Sequence, residues 1–171
     1  MLIKVKTIFA CICILITANS FAQLNYKGFL ITGNIKQDIF IGLDAIAKTP
    51  SVQLKDIVIT NHLNVPQLTA KNLKGFLLKE ILSKVILNEP LPRKYSEFYF
   101  TFIAQDSFTA VFSWNEIFNS PTGNNLFIIT QKDGKSVTEM PESVLILTAT
   151  DFTTGRRYIK KLSAIIVSRA K

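Results

Sequence analysis

Cysteine and histidine are scarce in this 171-residue chain: its two cysteines, Cys11 and Cys13, lie near the N-terminus, and His62 is the single histidine. The rest of the chain therefore provides no thiol nucleophile, no cysteine-ligated zinc and no iron–sulfur cluster. A Ser-His-Asp triad would need His62, but no serine stands in a Gly-x-Ser-x-Gly motif and no glycine-rich phosphate loop is present. We interpret His62 as an exposed loop residue.

Glycine, proline and charged residues are also few. Seven glycines and six prolines exclude a collagen-like or linker-like chain, and 19% charged against 48% hydrophobic residues argues against disorder. The length predicts one compact domain.

The N-terminus has the three-part pattern of an export signal. Lys4 and Lys6 precede an apolar run over residues 7–17, and a small-x-small cleavage motif ends at Ala22. Asn19 interrupts the run before it reaches the roughly 20 residues of a membrane-spanning helix. We therefore expect residues 1–22 to be removed as a signal peptide, and the protein to be periplasmic or secreted.

Cleavage would change the composition. The mature chain, residues 23–171, would form a single domain without cysteine or a transmembrane segment, and would carry 18 basic against 12 acidic residues, or +6. Both cysteines lie inside the apolar run rather than after it, so we do not expect lipidation. A charge of +6 on an exported protein does not predict a nucleic-acid partner.

Beyond residue 22, apolar residues mostly alternate or form short runs, which is typical of strands. One substantial helix is predicted over residues 76–85 from apolar spacings of three and four. Ser113 and Glu116 predict a capping box, and Asp133-Gly134 predicts a hairpin turn. The sequence thus predicts an α+β domain with mainly antiparallel sheets, one substantial helix and short helical turns. The predicted strands span residues 26–32, 38–42, 54–61, 97–105, 108–112, 126–131, 144–150 and 158–167.

A pair of carboxylates is the simplest catalytic arrangement left to the chain. Such mechanisms need two carboxyl groups about 5–9 Å apart, which the sequence does not establish. Asp106 and Asp151 are explained as turn residues and Glu116 as a helix cap. The candidates are Glu80, Glu97, Asp106, Glu116 and Asp151.

The basic run over residues 156–161 (RRYIKK) is the positive indication of a binding site. Guanidinium groups beside Gly155 could grip a phosphate or carboxylate with two hydrogen bonds. The alternative is the solvated end of a strand whose edge is guarded by lysine and arginine. The aromatic run over residues 98–102 is interpreted as a core strand rather than a base-stacking platform.

Four segments resemble, in order, a known family: residues 29–35 (FLITGNI), 73–82 (LKGFLLKEIL), 106–113 (DSFTAVFS) with Glu116, and 144–149 followed by 155–160 (GRRYIK). Together they are similar to the oxidoreductase molybdopterin-binding domain, which has the sulfite-oxidase-like fold. The resemblance covers most of residues 29–167.

The chain lacks one residue that the resemblance implies, the cysteine that binds molybdenum. Family enzymes hold molybdenum through a cysteine thiolate, and the corresponding stretch, residues 57–70, contains none. Neither Asn61 nor His62 imitates a soft thiolate. Arg156 and Lys160 match family positions that contact the phosphate of the pterin, and Arg157 is the third candidate for cofactor binding.

The sequence therefore favours an exported, non-catalytic module that binds a small anionic ligand, such as a pterin, or a protein partner. We expect no metal and no bound cofactor; molybdopterin enters by resemblance alone. The alternatives are a molybdopterin-dependent oxidoreductase without the usual thiolate, and a purely structural or adhesin-like interaction surface.

Overall fold

The computed structural model describes residues 27–170. The strands of this part are Gly28–Gly33 (β1), Ile39–Gly42 (β2), Val52–Gln53 (β3), Ile57–Thr60 (β4), Pro66–Ala70 (β5), Lys74–Leu77 (β6), Phe98–Ala104 (β7), Thr109–Ser113 (β8), Leu126–Lys132 (β9), Lys135–Ser136 (β10), Leu145–Thr148 (β11) and Leu162–Arg169 (β12). The α-helices are Leu43–Lys48 (α1), Lys79–Leu82 (α2) and Trp114–Phe118 (α3), and 3-10 helices span Pro92–Glu97, Pro121–Asn124 and Thr154–Arg157.

The strands form three sheets. The first has the order β2-β1-β12-β7-β8 and is antiparallel except where β1 runs parallel to β12. The second has the order β10-β9-β6-β3, with β11 also pairing with β9, and the third is the β4–β5 hairpin. Mixed, mostly antiparallel sheets with a few short helices confirm the predicted α+β class.

A single cluster of buried apolar side chains joins the two large sheets. Along β7, Phe98, Phe100 and Phe102 are buried while the intervening residues are partly exposed, which confirms the aromatic run as a core strand. All four residues of β11 are buried, as is typical of a strand covered on both faces.

The prediction of a substantial helix over residues 76–85 is wrong. Lys74–Leu77 is β6, which pairs antiparallel with β9, and only the single turn Lys79–Leu82 is helical. The buried residues are Phe76, Leu78 and Leu82, with spacings of two in the strand and four into the helical turn, and not the spacings of three and four of the predicted stripe. Gly75 lies within β6, close to β9. A β-carbon there would lie 2.6 Å from the carbonyl oxygen of Ile128, so this approach of the two strands requires glycine.

The predicted last strand begins later than expected. Thr154–Arg157 forms a 3-10 helix, Ile159 makes an isolated bridge with Ile146, and β12 starts at Leu162. Alternation along one strand therefore does not orient the basic run. The local predictions at Ser113 with Glu116 and at Asp133-Gly134 are confirmed as a capping box and as the β9–β10 turn.

The predicted signal peptide and both cysteines lie outside the described residues. Within residues 27–170, no helix combines the length and the apolar character needed to cross a membrane.

Candidate functional site

The basic run follows a turn that is fixed to the β4–β5 hairpin. The backbone N–H of Thr60 donates to Thr154 Oγ1 at 2.9 Å, and the Thr154 hydroxyl donates to the Val58 carbonyl oxygen at 2.8 Å. A β-carbon on Gly155 would lie 1.8 Å from the Thr60 carbonyl oxygen. The close approach requires glycine at this position, immediately before Arg156 and Arg157.

Arg157 is enclosed by two carboxylates. Its Nε donates to Asp151 Oδ2 at 2.7 Å, one terminal nitrogen donates to Asp151 Oδ1, and the other donates to Glu116 Oε1 at 2.8 Å. Its guanidinium carbon also lies 4.4 Å from the centre of the Phe112 ring, a cation–π geometry. Arg157 therefore connects β8, α3 and the segment after β11, and its donors face carboxylates rather than a ligand.

The two carboxylates are held ionised. Burial raises the pKa of Glu116, but hydrogen bonds from Ser113 and Arg157 outweigh it and bring the pKa below its ordinary value. For Asp151, burial is likewise outweighed by hydrogen bonds from Arg157 and Thr148, so its pKa is also lowered. Neither group is suited to act as a general acid, although the structure brings these two predicted candidates to one guanidinium.

Arg156 points elsewhere. It is exposed, and one terminal nitrogen donates to the carbonyl oxygen of His62 at 3.3 Å. We call the open cavity of about 670 Å³ beside it the arginine groove. The groove is lined by Ala110, Val111, Glu116, Thr122, Thr150, Asp151, Phe152, Thr153, Arg156 and Arg157.

Lys160 lies between two other cavities, which together we call the lysine cleft. The larger, about 490 Å³, is lined by Gln105, Asp106, Pro141, Glu142, Lys160 and Lys161. The smaller, about 320 Å³, is lined by Ile59, Thr60, Gln67, Leu68, Asp106, Phe108, Gly155, Tyr158 and Lys160. No carboxylate of residues 27–170 forms an ion pair with Lys160 or Lys161.

Three buried polar atoms within residues 27–170 lack a hydrogen-bond partner, and all belong to residues of the lysine cleft. Thr60 Oγ1 and Tyr158 Oη come from the smaller cavity, and Glu142 Oε2 comes from the larger. Buried polar atoms are nearly always paired, and those beside a cavity commonly receive their partner from a ligand or an ordered water. Because all three residues line this cleft, we treat it as the candidate site.

One of these groups, the carboxylate of Glu142, is held by a lysine. Lys132 Nζ donates to Glu142 Oε1 at 2.8 Å and pairs with Asp133 Oδ2 at 3.0 Å. Burial lowers the pKa of Lys132, but the bonds to Glu142 and Asp133 outweigh it and raise the pKa above its ordinary value. Burial also raises the pKa of Tyr158 to about 12, so its hydroxyl stays protonated and can donate.

The three predicted binding residues are thus divided between two places: Arg156 and Arg157 border the arginine groove, and Lys160 borders the lysine cleft. Sequence reasoning missed Thr60, Glu142 and Tyr158, because their lack of partners appears only when distant segments meet. His62 is exposed, as predicted, and only its carbonyl oxygen contacts Arg156.

Two more of the predicted carboxylate candidates are bonded to groups of the fold itself. Glu97, a predicted carboxylate candidate, accepts from Arg169 Nε at 2.7 Å, and Asp106 accepts from the backbone N–H of Phe108 in its turn. Within residues 27–170, no three histidine, aspartate, glutamate or cysteine side chains are grouped as metal ligands.

No family model matches this sequence, and no curated protein matches it. Among solved structures, the crystal structure of the sulfane dehydrogenase SoxCD from Paracoccus pantotrophus is similar, with a TM-score of 0.57 and 10% sequence identity. The match covers 82% of this chain and 37% of that chain, so this chain spans little more than a third of its length. At this identity the likeness shows the fold alone.

Proposed function

We propose that the protein is an exported, non-catalytic module with a molybdopterin-related fold, and that it binds a small anionic ligand in the lysine cleft. The fold is supported by the likeness to SoxCD, together with the family resemblance of the sequence. One observation carries the binding role. The three buried side-chain atoms that lack a partner within residues 27–170 all belong to residues that line this cleft, together with two lysines that form no ion pair there.

The cleft favours a flat, polar-edged ligand with an anionic arm. Ile59, Leu68 and Phe108 give the smaller cavity apolar walls, and the Tyr158 hydroxyl supplies a donor. Lys160 would attract a carboxylate or phosphate. Both cavities are of the size that holds small molecules, roughly 300–1,000 Å³.

Glu142 narrows the ligand class further. Its Oε2 is an acceptor without a donor, while its Oε1 is already bonded to Lys132. A ligand N–H would complete the site, so a nitrogen heterocycle bearing an anionic group matches the cleft better than a simple anion does. A pterin has this chemistry.

The described residues do not fit molybdenum. Residues 27–170 contain no cysteine, and the carboxylates of Glu116 and Asp151 are bonded to Arg157. No thiolate is therefore available to a metal there, and we assign no redox step. A molybdopterin-dependent oxidoreductase remains the competing hypothesis, and stoichiometric molybdenum in protein from its native compartment would favour it over ours.

The binding proposal is tested by calorimetric titration of the matured protein with pterin-6-carboxylate and with inorganic phosphate. We expect the pterin to bind more tightly than phosphate, and Lys160→Ala to weaken it at least tenfold. Lys135→Ala is the matched control, since Lys135 is an exposed lysine at the start of β10. Equal binding by Lys160→Ala, or no binding to either probe together with no small molecule in native mass spectra, would refute the proposal.

Export is tested separately by intact mass and by thiol titration. Cleavage after Ala22 would give a chain that begins at Gln23 and contains no thiol, because Cys11 and Cys13 would be removed. Two reactive thiols per chain and a mass that includes Met1 would show that the segment is retained.

A further inference from the structure

We infer that the arginine groove is a docking site for an extended, acidic segment of a partner protein, which adds as a sixth strand beside β8. This inference is independent of ligand binding in the lysine cleft. It depends on the free edge of β8, the lining of the groove, and the charge that the groove leaves unpaired.

β8 is an edge strand of the first sheet, with β7 as its sheet partner. Ala104 N–H donates to the Phe108 carbonyl oxygen at 2.9 Å, which sets the alternation of the ladder. Every second residue from Phe108, namely Ala110 and Phe112, then directs its backbone groups to β7, and Thr109 and Val111 direct theirs away. Within residues 27–170, no hydrogen bond takes these outward groups of Thr109 and Val111.

The arginine groove runs along that edge. Ala110 and Val111 both line it, although successive strand residues point to opposite faces of a sheet. A cavity that contacts both residues therefore extends along the open edge of β8 and is not confined to one face of the sheet. Residues 150–153 border the groove as well, and an added strand about 3.3 Å per residue long would follow the five residues of β8 for about 17 Å.

The edge lacks the usual protection against pairing. Exposed edge strands are commonly guarded by lysine, proline or a bulge. β8 has the sequence TAVFS, with no charge and no proline, and its register with β7 is unbroken. By contrast, β5 begins with Pro66, and β10 is two residues long and contains Lys135.

The groove also offers apolar contact area. Phe152 is 98% exposed and Val111 is 52% exposed, and both line the groove. Alternate side chains of an added strand would fall on each side of the sheet, so every second one can meet these two residues.

The exposed guanidinium of Arg156 favours an acidic residue in the bound segment. Glu116 and Asp151 are both bonded to Arg157, whereas among residues 27–170 the side chain of Arg156 has only the His62 carbonyl as a partner. The cation left toward solvent is therefore Arg156, and it can pair with a carboxylate of the incoming segment. A second copy of this chain offers no acidic residue from β8 itself, so self-pairing lacks that ion pair.

A random heptapeptide phage library selected on the matured protein tests the inference. The selected peptides would then be measured by fluorescence polarisation. We expect enrichment of alternating apolar residues with Asp or Glu, and at least tenfold weaker binding to Val111→Pro and to Arg156→Glu. Proline at position 111 removes an outward N–H and leaves the β7 ladder intact. Arg156→Glu alters no hydrogen bond between β7 and β8, so it tests peptide binding even if the proline variant is destabilised.

Lys135→Glu is the matched control, with binding expected within twofold of wild type. Amide exchange should also slow at Thr109 and Val111 when peptide is added. Failure to enrich peptides, equal binding by Val111→Pro and Arg156→Glu, or loss of binding only in Lys160→Ala would overturn the inference. A wild-type dimer that Val111→Pro converts to a monomer would overturn it in favour of a second copy on β8.

Discussion

Arg157 and Lys160 are three residues apart in one basic run, yet their surroundings are opposite. Arg157 has its donors directed at two carboxylates and its plane over Phe112. Lys160 lies between two cavities without a carboxylate partner among the described residues, next to polar atoms that also lack partners. Neighbouring cations can therefore serve stability and binding separately, and a basic run in a sequence is not one functional unit.

Because Arg157 is bonded to two carboxylates, we expect Arg157→Ala to lower stability more than any other substitution we propose. The substitution leaves Asp151 and Glu116 without their common cation, and we expect unfolding to need about 3 kcal/mol less free energy. The cost is limited because the Glu116 side chain is 40% exposed. Urea denaturation of wild type and variant measures it, with Lys160→Ala as the control, expected to change stability by less than about 0.5 kcal/mol. Similar losses in both variants would erase the distinction between the two residues.

Gly155 lies between the surroundings of Arg157 and those of Lys160. Its substitution should have the next largest effect on stability. A β-carbon there would overlap the Thr60 carbonyl oxygen, so Gly155→Ala must push the β4–β5 hairpin away from the Thr154–Arg157 turn. We expect a loss of about 2 kcal/mol in unfolding free energy, within the usual range for forced overpacking. Gly134→Ala is the control for added bulk alone, although its φ of +81° adds some strain, because no atom lies within 4 Å of its new carbon. Unchanged stability of Gly155→Ala would show that the hairpin is free to shift.

Low pH should reduce the stabilisation provided by Arg157, Glu116 and Asp151, which together we call the Arg157 cluster. The pKa values of Glu116 and Asp151 are lowered in the fold, so the folded protein binds fewer protons than the unfolded chain as pH falls. Their stabilisation is complete above the ordinary carboxyl pKa values, near pH 4, and is lost as pH falls through the lowered values. Unfolding free energy measured between pH 3 and 7 should therefore fall more steeply in wild type than in Arg157→Ala. Parallel curves would contradict this assignment, since other carboxylates contribute equally to both proteins.

How much of this was predictable depends on how local each feature is. The capping box at Ser113 with Glu116 and the turn at Asp133-Gly134 involve residues within three positions of each other, and both were predicted correctly. The helix after Gly75 was not, because the pairing of β6 with β9, some 50 residues away, overrides a helical spacing.

The same limit applies to the sites. The sequence singled out the basic run, and it explained Glu116 as a cap and Asp151 as a turn residue. Both are also the partners of Arg157, and Glu116 comes from 41 residues away. Likewise, the unpartnered hydroxyl of Tyr158 is a property of its tertiary surroundings, which no local pattern in the sequence contains. Composition and spacing identify candidate charges, but tertiary contacts decide which of them are already neutralised.

The smallest predicted effect on stability is the most informative about the lysine cleft. Tyr158 is 8% exposed and its hydroxyl has no partner within residues 27–170, so it loses hydration on folding without a compensating bond there. Removing that hydroxyl by Tyr158→Phe should leave the unliganded protein equally stable, or more stable by up to about 1 kcal/mol. Affinity for pterin-6-carboxylate should nevertheless fall about fivefold, since the ligand would lose one hydrogen bond.

Tyr99→Phe, at a partly exposed tyrosine of β7, is the matched control and should change neither quantity. Urea denaturation and calorimetric titration measure the two quantities on the same samples. A Tyr158→Phe variant that is less stable by more than about 1 kcal/mol would mean that the hydroxyl is satisfied in the free protein. The cleft would then resemble the Arg157 cluster, a polar element of the fold whose groups serve each other and leave nothing for a ligand.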